Sequence, residues 1–97
     1  MTNQKAQHTP GPWRVEQNGR ASIIICMRDG KAYSFTIAET FGYKEERESN
    51  ARLIASAPDL LAACKRVAEW GKVHGTPEIQ GILCDVHSAI EKAEAQQ

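Results

Sequence analysis

The sequence predicts an α+β fold, in which a three-stranded antiparallel meander packs against C-terminal helices in the order βββααα. Three short segments within residues 10–39 are rich in β-branched and aromatic residues or alternate apolar with polar residues, which is typical of strands. Residues 45–94 instead place apolar residues three and four apart, as on one helix face. The 97 residues suffice for a single domain, 1–97, and we expect residues 1–8 to be disordered.

The three predicted strands are WRVEQ, ASIIICM and AYSFTIA, and the glycines between them predict their register. Three-residue loops at 17–19 and 28–30 place Gly19 and Gly30 third, where a left-handed backbone favours glycine. Trp13 and Phe35 would then both face Ile23, from either side of the central strand. Tyr33 would face Ile25 in the same register.

This register predicts one apolar face of the sheet. It comprises Trp13, Val15, Ala21, Ile23, Ile25, Tyr33, Phe35 and Ile37. The opposite face keeps Ile24 and Cys26 exposed, unless another part of the chain covers them or they form an oligomer contact.

Pro58 interrupts the best helical pattern of the chain, in SNARLIASAPDLL (49–61). A proline inside a helix costs about 3 kcal/mol, whereas in the first turn its missing N–H does no harm. We therefore expect two helices, about 45–55 and 57–70, that meet at a kink. Ser56 is the expected N-cap, Asp59 completes a capping box, and Gly71 ends the second helix. The apolar stripe expected to pack on the sheet holds Leu53, Ile54, Ala57, Leu60, Leu61, Cys64, Val67 and Ala68.

A last helix is predicted to follow Gly75. Thr76 is its expected cap, and Pro77 and Glu78 are expected to open it. Its apolar positions are Ile79, Ile82, Leu83, Val86, Ala89, Ile90 and Ala93.

Composition restricts the class of function. Apolar residues make up 41% and charged residues 25%, and 12 Lys plus Arg balance 12 Asp plus Glu. A net charge of zero disfavours a nucleic-acid binder, such as a DNA-associated regulator, and favours self-association into a homo-oligomer. No apolar run approaches the ~18 residues of a membrane span. The three cysteines lack a C-x-x-C pair, so we expect reduced thiols in a cytoplasmic protein.

No motif for catalysis or metal binding is complete. Cys84 and His87 form a C-x-x-H pair with Cys64 elsewhere, but a structural zinc site takes four ligands in paired spacings. No cysteine has an adjacent base, and G-x-S-x-G is missing from the sequence. We therefore expect a protein that is not an enzyme and that holds neither a metal nor a cofactor.

A few polar residues are candidates for a ligand site. Asn50 falls on the apolar stripe between Arg47 and Arg52, and these three residues with Arg14 are the speculative lining for an anionic nucleotide. The alternative is that the arginines are surface charges and that Asn50 bonds backbone groups. Two aromatic residues in the preceding charged connection, Phe41 and Tyr43, are expected to pack over a helix end or else to form a contact surface.

HTPGPW (8–13) and NARLIASAPDLL (50–61) resemble motifs of small proteins of unknown function from tailed phages and prophages. That group carries T-P-G-P-W near the start and N-A-R-L-I-A-x-A-P-D-L-L in the middle; Ser56 stands where it usually has alanine. The resemblance implies a phage accessory protein that binds an unknown host or phage protein and modulates a host process such as antiviral defence. The alternative is a protein that sequesters an anionic nucleotide.

Overall fold

The computed structural model of the chain describes residues 8–28 and 31–94, and it confirms the predicted α+β order βββααα. Residues 1–7, most of the segment predicted to be disordered, lie outside the described residues. The elements are β1 (Trp13–Asn18), β2 (Ala21–Arg28), β3 (Lys31–Thr40), α1 (Lys44–Ala55), α2 (Ala57–His74), a 3₁₀ turn (Pro77–Ile79) and α3 (Gln80–Ala93).

The chain divides into two compact units. Residues 9–59 hold the sheet, α1 and the first residues of α2. Residues 60–94 hold the remainder of α2, the 3₁₀ turn and α3.

The first hairpin closes with a two-residue loop, so the predicted three-residue loop at 17–19 is wrong. Asn18 pairs with Ala21, which leaves Gly19 and Arg20 as the loop. Gly19 has a φ of 63°, the positive value that the first loop position needs in the turns that match strand twist. Trp13 consequently pairs with Cys26.

The second hairpin also differs from the predicted register. Arg28 pairs with Lys31, and the two residues between them lie outside the described residues. Two irregularities then shift β3 along β2, so that Ile25 lies opposite Thr36 rather than Tyr33.

The same shifts place Ile23 opposite Glu39 rather than Phe35. The side chains of residues 31–35, Tyr33 and Phe35 among them, lie outside the described residues.

In the observed register, the face of β2 that lies beside the apolar residues of β1 is the opposite of the predicted face. Moving the partner of Trp13 by three positions, from Ile23 to Cys26, is an odd shift, and an odd shift exchanges the faces. Ile24 and Cys26 are therefore core residues, 0% and 2% exposed, and the prediction that they stay exposed is wrong. Ile25 points to the other face and is also buried, so the central strand is buried on both faces.

α1 covers the face of the sheet that carries Ile24. Thr40 pairs with Ser22 on this face, and both residues are buried although both are polar. The Thr40 hydroxyl donates to the Arg47 carbonyl of α1 at 2.8 Å, and the Ser22 hydroxyl donates to the Gln17 side chain at 2.8 Å. Both buried hydroxyls are thus satisfied, as burial requires.

The helix break falls at Ser56, as predicted, but Ser56 does not cap α2. Its backbone is α-helical (φ −83°, ψ −5°), and its hydroxyl donates to the Arg52 carbonyl at 2.9 Å. The side chain thus bonds the end of α1, so the predicted capping box with Asp59 is wrong. Pro58 is the second residue of α2, where a proline removes no helical hydrogen bond.

Gly71 lies inside α2 and does not end it. The helix continues to His74, and the Gly75 amide donates to the Gly71 carbonyl at 2.9 Å. Gly71 is buried against Leu83 of α3, so close that a Cβ at position 71 would lie 2.6 Å from Leu83 Cδ2. The glycine therefore serves close helix packing.

The turn before α3 begins where it was predicted. Thr76 is extended (φ −107°, ψ 163°) and precedes the 3₁₀ turn, but its hydroxyl makes no capping bond to the backbone. The Glu78 carboxylate instead accepts from its own backbone N–H and from the Thr76 hydroxyl. These two bonds, the first being the larger cause, hold the pKa of Glu78 below its ordinary value of 4.5.

Candidate functional site

Large apolar side chains are exposed along one side of α2. Leu60, Val67 and Trp70 are 50%, 44% and 51% exposed, and with Ala63 they recur at helical spacing. We call these four residues, Leu60, Ala63, Val67 and Trp70, the α2 stripe.

Two residues of the α2 stripe, Leu60 and Val67, were predicted to lie in the core, and that prediction is wrong. The buried positions of α2 are Ala68 and Gly71. At about 100° per residue, Gly71 lies at the edge of the stripe, about 40° from Val67, and Ala68 lies further round the helix, about 100° from Val67. Leu53 of α1, which was placed in the same predicted core, is 63% exposed.

A pocket opens at the α2 stripe. Its described lining is Ala63, Arg66, Val67 and Trp70, that is, three apolar side chains and one cation. The indole ring of Trp70 stacks on the His74 imidazole, with ring centroids 4.9 Å apart and an interplanar angle of 15°. This stack restrains Trp70, which makes it a suitable anchor for a partner.

Two more aromatic side chains are exposed between β3 and α1. Phe41 is 64% and Tyr43 is 81% exposed, so the prediction that they pack over a helix end is wrong, and the alternative, a contact surface, stays a prediction. Gly42 between them has a φ of 111°, which side-chain-bearing residues rarely adopt.

Arg47 and Arg14, two of the residues predicted to line a nucleotide site, have partners within the protein. The side chain of Arg47 is 13% exposed, and its Nη1 donates to the Arg20 carbonyl at 3.0 Å, which ties α1 to the β1–β2 turn. Its Nε has no hydrogen-bond partner among the described residues. Arg14 forms an ion pair with Glu16 and is half-exposed.

The other two predicted residues, Asn50 and Arg52, are exposed on α1. The Nη2 of Arg52 donates to the Ser49 hydroxyl at 3.2 Å. Asn50 needs no buried partner because water reaches its amide.

The structure does not bring the four predicted residues together. Arg14 pairs with Ile25, on the face of the sheet opposite to the one that α1 covers. Arg47 and Arg52 are five residues apart in α1, which separates them by about 140° around the helix axis. The three arginines therefore point in different directions, one from the far face of the sheet and two from separate sides of α1.

The thiols lie in different surroundings. Cys26 is buried, Cys64 is half-buried and Cys84 is exposed. Within residues 8–28 and 31–94, no three His, Cys, Asp or Glu side chains are grouped to hold a metal ion. In the same ranges, no helix combines the length and the apolar character needed to cross a bilayer.

Comparison with known proteins gives a phage family. The sequence model of the family described as Salmonella phage P22 protein Y8K6 matches residues 1–97. The chain is also similar to the phage-like element PBSX protein XkdD of Bacillus subtilis (strain 168), with 31% identity over 104 residues that cover 94% of this chain and 84% of the relative. No solved structure matches the chain. Because the family model spans the whole chain, the protein belongs to the Salmonella phage P22 protein Y8K6 family, a family of phage proteins.

Proposed function

We propose that this phage protein acts by binding another protein, without catalysis, and that it is an accessory factor that modulates a host process such as antiviral defence. The observation that carries the proposal is the α2 stripe with its pocket. Tryptophan and arginine are the residue types that most often dominate binding energy, and Trp70 and Arg66 both line this pocket.

The pocket indicates the chemistry of the partner. A helix with an exposed apolar stripe binds a second amphipathic helix through residues at matching spacing. The partner segment would place an apolar side chain against Ala63 and Val67 and a carboxylate beside Arg66. An amphipathic helix with an acidic residue next to its apolar face meets both requirements.

Two valines of α2 allow a matched test. Val67 lines the pocket and is 44% exposed, whereas Val73 lies outside the pocket and is 79% exposed. Val67→Glu buries a charge in the proposed interface, and Val73→Glu makes the same chemical change on the same helix. Because neither valine is buried, we expect both variants to fold, and circular dichroism of each variant checks this.

The experiment is capture of the tagged protein from infected host cells, followed by purification of each recovered partner and measurement of its Kd. We expect a partner that binds wild type and Val73→Glu alike and binds Val67→Glu at least tenfold more weakly. Phage carrying Val67→Glu should also grow on the host as poorly as phage lacking the protein. A set of captured proteins that is identical for wild type and Val67→Glu would contradict the proposal.

A panel of small molecules tests the alternative function. Cyclic nucleotides and ADP-ribose derivatives are added to the purified protein, and the Tm is recorded. An increase of several degrees would favour nucleotide sequestration over protein binding, because a ligand that binds only the folded state stabilises it.

A further inference from the structure

β3 is an edge strand with a long free side. The sheet order is β1-β2-β3, and among the described residues no strand pairs with the outer side of β3. β3 has 10 residues, against 6 in the other edge strand, β1. A free edge presents a row of backbone N–H and C=O groups that can pair with a further strand.

β3 is also incompletely paired with β2. Between the pairs Ile25–Thr36 and Met27–Ala32, β2 has the single residue Cys26, whereas β3 has residues 33–35. The extra residues of a bulged strand have no ladder partner on the neighbouring strand. Their backbone groups therefore need another partner or water.

The sequence of β3 matches itself in reverse. Residues 31–39 are KAYSFTIAE, and positions at equal distance on either side of Phe35 carry related residues. From Phe35 outwards these are two hydroxyl residues, one aromatic and one aliphatic residue of large size, two alanines, and two residues of opposite charge. Antiparallel pairing of two such strands about Phe35 makes the pairs Lys31–Glu39, Ala32–Ala38, Tyr33–Ile37 and Ser34–Thr36, each between the two copies. Opposite charges meet at both ends, and similar residues meet between them.

We propose that β3 pairs antiparallel with β3 of a second copy of this chain, so that the two sheets continue into each other across a two-fold axis. Such an interface is self-complementary, as two-fold symmetry requires. The zero net charge of the chain opposes association little. In the C-terminal part of β3, Thr36 and Glu39 are exposed and Ile37 and Ala38 are half-buried, and the buried Thr40 lies beyond the residues that would pair. The proposal does not depend on the protein partner proposed for α2.

Charge reversal at the strand ends tests the pairing. Lys31→Glu alone places two carboxylates opposite each other at each end, and Glu39→Lys alone places two ammonium groups there. We expect wild type to dimerise in analytical ultracentrifugation and each variant to dimerise about tenfold or more weakly. An equimolar mixture of the two variants should recover wild-type affinity, because each reversed charge then faces its opposite in the other chain.

A crosslink tests the register independently of charge. Phe35 is its own partner across the axis, so Phe35→Cys, in a Cys64→Ser/Cys84→Ser background, should oxidise to a disulfide-linked dimer. Ser34→Cys in the same background should not, because residue 34 pairs with residue 36. Circular dichroism establishes that each variant is folded.

Several results would overturn the proposal. One is a wild-type protein that stays monomeric at all concentrations up to about 1 mM, far above the Kd range of specific complexes. Another is a dimer that both charge variants leave unchanged. A dimer lost only in Val67→Glu would place the contact on α2 instead.

Discussion

Pro58 lies against the backbone of Gly11, so closely that a Cβ built on residue 11 would be 2.9 Å from Pro58 Cβ and 3.3 Å from Pro58 Cγ. The segments HTPGPW and NARLIASAPDLL, far apart in sequence, therefore meet within the unit formed by residues 9–59. The Trp13 indole donates to the Thr9 carbonyl at 3.1 Å, which closes the first segment on itself. Pro58 thus has two roles: it fits the first turn of α2, and it packs on a glycine.

Gly11→Ala should destabilise the protein. The added methyl group would overlap the proline ring, and overpacking typically costs about 1–3 kcal/mol. Urea unfolding of wild type and variant measures the loss. An unchanged free energy of unfolding would mean that the two segments can separate at no cost.

Gly71→Ala and Gly81→Ala separate close packing from helix propensity. Both glycines lie in helices, and alanine is favoured there by about 1 kcal/mol. A Cβ at residue 81 meets open space, so Gly81→Ala should stabilise the protein by up to that amount. A Cβ at residue 71 meets Leu83 atoms at 2.6 Å and 2.7 Å, so Gly71→Ala should lose about 1 kcal/mol net in the same unfolding assay. Equal effects at the two positions would contradict the close contact with Leu83.

Ile23→Ala and Ile24→Ala test the register of the sheet. Ile24 is fully buried, and truncating such a residue costs about 2–5 kcal/mol. Ile23 is half-buried, so its truncation should cost less, on the order of 1 kcal/mol. Denaturant midpoints give the order of the two losses, and the reverse order would support the register with three-residue loops.

Local sequence patterns predicted the order of the elements and the helix break, because alternation, helical spacing and Pro58 each act over a few residues. They did not predict the register. Gly19 suits the third position of a three-residue loop and the first position of a two-residue loop equally well. The choice depends on burial of Ile24 under α1, a contact between distant parts of the chain. A glycine followed by another residue between two strand patterns also predicts a two-residue turn with glycine first, and Gly19–Arg20 fits that pattern.

The surface of α2 was missed for a related reason. Apolar residues at helical spacing indicate that one side of a helix is buried. α2 has two neighbouring apolar sides, one with small residues and one with large residues, and the spacing alone does not tell which of them is buried. The small residues Ala68 and Gly71 allow Leu83 to approach, so the narrow side of α2 packs and the side with Val67 and Trp70 remains exposed. Local sequence patterns also do not predict the role of Arg47, because its hydrogen bond to the Arg20 carbonyl joins residues 27 positions apart.

Glu78 should titrate at a lower pH than an ordinary glutamate. Its carboxylate accepts hydrogen bonds from its own backbone N–H and from the Thr76 hydroxyl, and both favour the charged form. The folded pKa is lowered, so the stabilising effect is present above the unfolded pKa and is lost as the pH falls through the folded pKa. Carboxyl NMR titration measures this pKa. Thr76→Val should raise it part of the way towards 4.5, because the backbone bond, the larger cause, remains. Thr76→Ser keeps the hydroxyl and should leave it unchanged, whereas equal values in the two variants would exclude a role for that hydroxyl.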